Sequence, residues 1–533
     1  MNTSEVIVGY LAAAGIRHVF GYPGDPSVEF LEAARRAQMT FVLGSREGTA
    51  GLMAEAYGQI TGRPGVCLST LGPGATNLVN AVASAYLDRV PMIAISGQIE
   101  TRREATFTHQ VVDHTLLFSS ISKWTAAVQP HTVATIMRRA LRTAVAERPG
   151  SVHLTTAADV VGAEATDAQI VLPPMAAVRT PQIFSTAGAP TDPVQRLKAA
   201  RRPVLLVGMS AVWSGAGAAV QRLAEAASCP VVVTPMAKGI VPETHPLYAG
   251  TLDMACNAFV WDFLRGADLL LAVGFDAVEL IKPWKLAVPT IHVDTVPNTD
   301  QIVTAETEIV GDIAGILDAL CDAGGASRFT HADVAAHRAR LRELYCAGRV
   351  AGRLNPSDVV DAVRAAMPAD TLVTTDVGSH KLLVGQGWTA HAPRSVLMTN
   401  GLSSMGFSLP AAITAQMLSP ERPVVCFTGD GGLAMVQGEL RVAASLKVAP
   451  VVVVFCDNSL NRIELKQLAK NYPSWGTRID PTDIALLAQA MGCDGVGVDS
   501  MRGLEAALAA PRSVDRPLVI GAKIDPAQYA AQF

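Results

Sequence analysis

The chain has 533 residues, with 43 Lys+Arg against 47 Asp+Glu for a formal net charge of −4; half of it is hydrophobic and 17% is charged. At about 100–200 residues per domain this length predicts about three domains, and the apolar fraction excludes a disordered chain. The near-neutral balance excludes the basic footprint of a nucleic-acid or membrane-surface binder. The longest apolar run, APVVVVFC at 449–456, has the length of a strand and falls far short of the ~18–20 residues of a membrane helix. The opening MNTSEVIVGY has no basic segment followed by an apolar stretch, so it does not read as a secretory signal. Eight cysteines, at 67, 229, 256, 321, 346, 426, 456 and 493, are scattered without CxxC spacing. They read as small buried hydrophobes in a reducing, cytoplasmic setting rather than as disulfides, zinc ligands or iron–sulfur ligands.

Short β-branched runs alternate with longer helical patterns, the mark of parallel α/β sheets. The first block offers strands at 18–20, 40–43, 65–70, 91–96 and 151–156, with helices over 48–60 and 76–87. Residues 172–192 are rich in proline and small polar residues without a sustained period, and read as a linker. A second block has strands at 203–208, 230–235, 268–274 and 290–294 and a helical pattern through 221–227. A polar helical stretch, 326–353, leads to a third block with strands at 371–375, 424–429, 451–456 and 517–524 and a helix from His380. The first and third blocks share a rhythm, which predicts two related sheets with a different one between them.

The third block carries the most specific chemistry. Its strand VVCFTG ends in Gly429-Asp430-Gly431-Gly432, with a helical pattern from Leu433. Glycines between strand and helix let backbone N–H groups approach a phosphate. The next strand ends in Asp457-Asn458-Ser459-Leu460, and adjacent parallel strands would bring Asp430 and Asn458 to one sheet edge. A carboxylate, an amide oxygen and the backbone carbonyl of Leu460 are the hard ligands that Mg²⁺ prefers. A GDG alone is usually a tight turn; followed one strand later by an Asn, it is far more specific.

This pair of segments resembles the cofactor motif of the thiamine-diphosphate-dependent enzymes, and the chain is similar to their acetolactate synthase/pyruvate decarboxylase family over nearly its whole length. Supporting stretches stand in the family's order: FGYPGD (20–25), SREGTAGLMAEAYG (45–58), LGPGATN (71–77), TTDVGSH (374–380) and NGLSSMGFSLPAAI (400–413). The resemblance implies three doubly wound parallel-sheet α/β domains: pyrimidine-binding (1–165), central Rossmann-like (186–330) and diphosphate-binding (350–533). It implies thiamine diphosphate and Mg²⁺ as cofactors. Glu47 matches the acid that bonds the aminopyrimidine, so that the cofactor can take the proton from its own thiazolium carbon; desolvation in a dry pocket would favour its protonated form. The alternative is an acid favoured by the helix dipole. Met405 matches the wedge beneath the thiazolium, with the Ser403 carbonyl and the Met405 N–H on the pyrimidine edge; ordinary helix core is the alternative. Val377, Gly378, Ser379 and His380 match the segment that holds the diphosphate. The resemblance also implies a homodimer or homotetramer with active sites at the subunit interface.

The substrate side departs from acetolactate synthases. Gln110 and Lys123 match polar positions near the substrate, but His109 replaces a usual Phe, Val111 an acid, and Gln467 a substrate-selecting Trp. Asp25 resembles the aspartate of the decarboxylases, whose neighbouring histidine pair is absent; it could equally be a turn residue before Pro26. The central glycines Gly208, Gly215 and Gly217 do not form GxGxxG, and GFDAVELIKPW (274–284) lacks the arginine of flavin-binding relatives, so no FAD is expected. The leading expectation is decarboxylation of a pyruvate-like 2-oxo acid and transfer of the acyl carbanion equivalent to an acceptor, with Glu47, Gln110, Asp25 and His109 as catalytic candidates. The alternatives are a simple 2-oxo acid decarboxylase, a 2-hydroxyacyl or 2-hydroxyacyl-CoA lyase, and, in another class, a non-catalytic cofactor-binding scaffold.

Overall fold

Buried runs of Val, Leu and Ile build three sheets in the computed structural model, which describes residues 1–174, 180–185, 192–321 and 327–532. The first contains β1 (His18–Gly21), β2 (Thr40–Leu43), β3 (Gly65–Ser69), β4 (Met92–Gln98), β5 (Trp124–Ala127) and β6 (Ser151–Ala157), all parallel, in the order β2-β1-β3-β4-β6-β5. The second contains β7 (Gln182–Ser185), β8 (Pro203–Val207), β9 (Val231–Val233), β10 (Tyr248–Thr251), β11 (Leu269–Val273), β12 (Thr290–Asp294) and β13 (Thr307–Val310). Its order is β10-β9-β8-β11-β12-β13-β7, parallel except for the edge strand β7. The third contains β14 (Leu372–Thr375), β15 (Val396–Leu397), β16 (Val424–Gly429), β17 (Val451–Cys456), β18 (Asp494–Val498) and β19 (Leu518–Lys523). Its order, β15-β14-β16-β17-β19-β18, repeats that of the first sheet strand for strand. The shared rhythm of the outer blocks was therefore a shared topology.

Two compact units result. One holds the first sheet with Gly401–Leu418 and Val436–Leu446; the other holds the second and third sheets. Central strands such as β8 and β11 are buried on both faces, as parallel sheets require when helices cover each side. No helix among the described residues is long and apolar enough to cross a membrane.

Several boundaries differ from the sequence reading, each for a physical reason. Gln182–Ser185, inside the expected linker, pairs antiparallel with β13; residues 175–179 and 186–191 of that linker lie outside the described residues. Exposed along its length, β7 has no apolar face to announce it. Strands β5, β10, β13, β15 and β18 went unread because they are short or, in DGVGV, interrupted by glycine. Helix Gly72–Leu87 starts four residues before the expected Thr76, because Pro73 sits in the first turn, where its missing N–H costs nothing. Likewise Asp430–Val436 is helical from Asp430, not from Leu433, so the GDGG segment is already a first turn. The polar helix in 326–353 is confined to His331–Cys346, and Ala326 lies outside the described residues.

Candidate functional site

In the first unit, the candidate groups sit on loops leaving the carboxyl ends of four adjacent strands. Asp25 follows β1, Glu47 follows β2, Gly72 follows β3 and Gln110 follows β4. This edge is where parallel sheets gather their ligand-binding groups. Glu47 opens helix Glu47–Thr61 and is buried, at 7% exposure. Asn77 donates its side-chain N–H to Glu47 Oε2 at 3.1 Å. A Cβ on Gly74 would come within 2.9 Å of Glu47 Oε1, so only glycine lets the carboxylate lie flat against this turn. Asn77 was quoted within LGPGATN but given no role; nothing in the sequence says that its amide meets Glu47 across two loops.

Gln110 and His109 are exposed. Gln110 has φ 61°, and its carbonyl accepts the Gly72 N–H at 3.1 Å, which pins this loop to the start of helix Gly72–Leu87. Asp25 is exposed at the head of a short turn. Gly24 and Ser27 close that turn, with Gly24 N–H donating to Ser27 Oγ at 3.2 Å and Ser27 N–H to the Gly24 carbonyl at 2.8 Å. The Asp25 carboxylate takes no part in it among the described residues. Lys123 is not at this edge. It precedes β5, at the opposite end of the parallel sheet, and its Nζ donates to the Ala146 carbonyl at 3.1 Å. The sequence could not show this, because β5 itself was not legible.

Met405 lies in the turn before helix Ser408–Leu418, half-buried, and not in a helix core. Ser403 has φ 56° and Ser404 Oγ bonds Asn80 Oδ1 at 2.8 Å. Gln110, Ser403 and Asn458 are three non-glycine residues in the left-handed region at candidate sites, a conformation that costs free energy and tends to collect at functional positions.

In the second unit, β16 and β17 pair with Gly429 opposite Phe455, so Asp430 and Asn458 do meet at one edge. Asp430 Oδ2 accepts the Asn458 N–H at 2.7 Å and the Asp457 N–H at 3.2 Å, and Oδ1 accepts the Gly431 N–H at 2.8 Å. Burial nonetheless raises the Asp430 carboxyl above its ordinary value. Asp457 is pushed up to about 7, first by burial and then by the charge of Asp430. Two half-buried carboxylates that repel one another are chemistry suited to a divalent cation, which would favour their charged forms. The carbonyl of Leu460 already accepts the Ile463 and Glu464 N–H groups at 2.9 and 3.1 Å, so a cation there would compete with the first bonds of helix Asn461–Ala469. Among the described residues no group of three or more His, Cys, Asp or Glu side chains is placed to hold a metal. A set of one carboxylate, one amide and one carbonyl is not of that kind.

The segment Val377 to His380, expected to hold a diphosphate, follows β14, the neighbour of β16. Gly378 precedes helix Ser379–Gly387, and a Cβ on it would meet the His380 ring at 2.6 Å. His380 is buried, stacks on Phe455 with ring centroids 5.2 Å apart, and has no hydrogen-bond partner at Nε2 among the described residues. Burial lowers its pKa to about 3, so the ring is neutral near pH 7. Ser379 Oγ donates to Asn461 Oδ1 at 2.7 Å, tying this turn to the one after β17. Asp376, given no role by the sequence reading, fixes the turn by accepting the Val377 N–H at 2.8 Å and the Thr428 hydroxyl at 3.1 Å. Bare glycine surfaces, an unpartnered imidazole nitrogen and the Asp430–Asp457 pair together fit a diphosphate with a hard cation.

The central sheet, without β7 and β13, has the order 3-2-1-4-5 of a dinucleotide-binding fold. Its first turn is already filled. Glu279 is buried, its Oε1 accepts the Met209 N–H at 2.9 Å, and Thr234 Oγ1 donates to Oε2. A carboxylate of the chain thus stands where that fold would bring a nucleotide phosphate.

Three thiamine pyrophosphate enzyme family models match: the N-terminal TPP binding domain at 1–117, the central domain at 191–320 and the C-terminal TPP binding domain at 376–522. The chain belongs to the thiamine pyrophosphate enzyme family and is a thiamine-diphosphate-dependent enzyme. It is 30% identical to a catabolic acetolactate synthase of Raoultella terrigena, over 98% of this chain and 95% of that one. It is 31% identical to the acetolactate synthase isozyme 2 large subunit of Escherichia coli, over 98% and 96%. A probable 2-ketoarginine decarboxylase of Pseudomonas aeruginosa is also 30% identical, over 92% and 89%.

Proposed function

We propose that this enzyme decarboxylates a pyruvate-like 2-oxo acid and joins the remaining acyl unit to an acceptor carbonyl, as an acetolactate synthase does. The observation that carries the reading is the similarity to acetolactate synthases along the whole chain, joined to a buried Glu47 held by Asn77. Thiamine diphosphate, when bound, supplies the electron sink for loss of CO₂. Asp430 and Asn458 would hold Mg²⁺, with the Leu460 carbonyl as third ligand. Val377, Gly378, Ser379 and His380, with Gly429, Gly431 and Gly432, would cradle the diphosphate. Ser403 and Met405 would support the rings. Glu47 would hold a proton at its Oε1, the oxygen that Asn77 leaves free, and share it with the aminopyrimidine. Burial makes that exchange sensitive to small displacements. Gln110 and His109, exposed at the same edge, would orient the substrate. Glu279 at the central turn supports a domain without FAD.

A second reading, a simple 2-oxo acid decarboxylase, is favoured by Asp25, whose carboxylate the turn does not use, and by the similarity to the 2-ketoarginine decarboxylase. Incubation with pyruvate alone separates the two: acetolactate as main product supports the ligase, and acetaldehyde without acetolactate supports the decarboxylase. The family's pattern supports a homodimer or homotetramer in which Glu47 of one subunit and Asp430 of another serve one cofactor.

A further inference from the structure

We propose that Glu439 is a positioning residue for Glu47. Resting on the assignment of Glu47 as the acid facing the aminopyrimidine, the inference concerns what keeps that acid in place. Glu439 opens helix Glu439–Ser445 and is fully buried. Its Oε1 accepts the Ser45 N–H at 3.0 Å, and the hydroxyls of Ser45 and Thr49 also donate to it. One carboxylate oxygen therefore grips the chain two residues before Glu47 and two residues after it.

The approach is close. A Cβ on Gly438 would lie 3.0 Å from Ser45 Oγ, so the glycine admits this contact. Thr49 Oγ1 also lies 2.9 Å from the Arg46 carbonyl, which places its single hydrogen between that carbonyl and Glu439. The N-cap residue of the Glu47 helix, Arg46, makes no side-chain cap bond. Glu439 does not replace that cap, since the N–H it accepts belongs to Ser45, the residue before Arg46; it fixes instead the path by which the chain enters the helix.

Stability alone gives a poor account of this residue. Glu439 Oε2 is buried and has no hydrogen-bond partner among the described residues. A buried carboxylate with one oxygen unsatisfied is a costly way to fill space, and such costs are found where geometry is being held for function. The Ser45–Glu439–Thr49 arrangement restricts the first turn of the helix, and with it the direction in which the Glu47 carboxyl leaves the backbone.

The test compares Glu439→Ala, Glu439→Gln and Glu47→Gln in the full-length enzyme loaded with thiamine diphosphate and Mg²⁺. The readouts are the exchange rate of the bound cofactor's C2 proton with deuterium, followed by acid quench and NMR, and the kinetics with a 2-oxo acid. Glu439→Ala is expected to slow exchange and kcat together by on the order of 10²-fold, with KM and cofactor Kd within about threefold of wild type. Glu439→Gln, which keeps an acceptor oxygen, is expected to hold exchange within about threefold of wild type. Should Glu439→Ala not fold, Ser45→Ala/Thr49→Val removes the two hydroxyl donors while leaving the Ser45 N–H, and is expected to slow exchange about tenfold. Wild-type exchange in Glu439→Ala, or equal losses in the Ala and Gln variants, overturns the positioning role while Glu47→Gln remains slow. Wild-type exchange in Glu47→Gln overturns the assignment of Glu47 instead.

Discussion

Glu47 carries one carboxylate oxygen bonded to Asn77 and one turned toward the bare surface at Gly74. Replacement by Gln keeps the shape and removes the exchangeable acid. Glu47→Gln is expected to lower kcat by about 10²–10⁴-fold while thiamine diphosphate still binds, measured by steady-state kinetics beside a cofactor titration. Turnover within twofold of wild type would remove Glu47 from the chemistry. In the second unit, Asp430 gathers three backbone N–H groups and stands beside Asp457. Asp430→Ala is expected to weaken Mg²⁺-dependent retention of the cofactor by about 10–100-fold, read as thiamine diphosphate remaining after desalting with and without Mg²⁺. Retention equal to wild type would contradict the metal role. Both residues were legible in the sequence because they stand in dense motifs. Asn77, Asp376 and Glu439 were not assigned roles, because each acts on a partner that only the folded chain brings near.

Between β4 and β6, a buried chain runs from His114 Nδ1 to Ser96 Oγ at 2.8 Å and on to His153 Nε2 at 2.8 Å, with Thr125 at His153 Nδ1. Burial lowers His114 to about 4 against an opposing pull from the Asp113 charge, and lowers His153 as well. Since the folded pKa lies below the unfolded one, the unfolded chain binds the extra proton as pH falls from about 6.5 to 4, and folding stability drops in that window. Acids whose folded pKa is raised, such as Glu279, act in the opposite sense, so the informative quantity is a difference. The urea midpoint of wild type relative to His114→Gln is expected to fall between pH 7 and pH 4.5; a constant difference would show that His114 carries no such linkage. These elements also show what a sequence exposes. The runs in β4, β11 and β17 announce themselves because both faces are buried. The edge strands β5, β7, β15 and β18 do not, because they have only one neighbour and need no continuous apolar face.

In sequence order, two sheets of the same strand order, one carrying Glu47 at its carboxyl edge and the other Asp430, come before and after a central sheet whose first turn is filled by Glu279. That repeated topology accounts for the similar rhythm of the first and third blocks; the extent of the central sheet, with its antiparallel β7, was hidden in a stretch that reads as linker. Under the proposed function, Glu47 and Asp430 would serve the two ends of one cofactor from different subunits. The direct measurement is complementation: Glu47→Gln and Asp430→Ala proteins, each of low activity alone at limiting cofactor, are mixed under conditions that allow subunits to re-pair. About half of the dimers formed at random are hybrids, each with one intact site, so about a quarter of wild-type activity is predicted to return. A mixture that contains hybrids, shown by mass spectrometry, and stays inactive would contradict the claim.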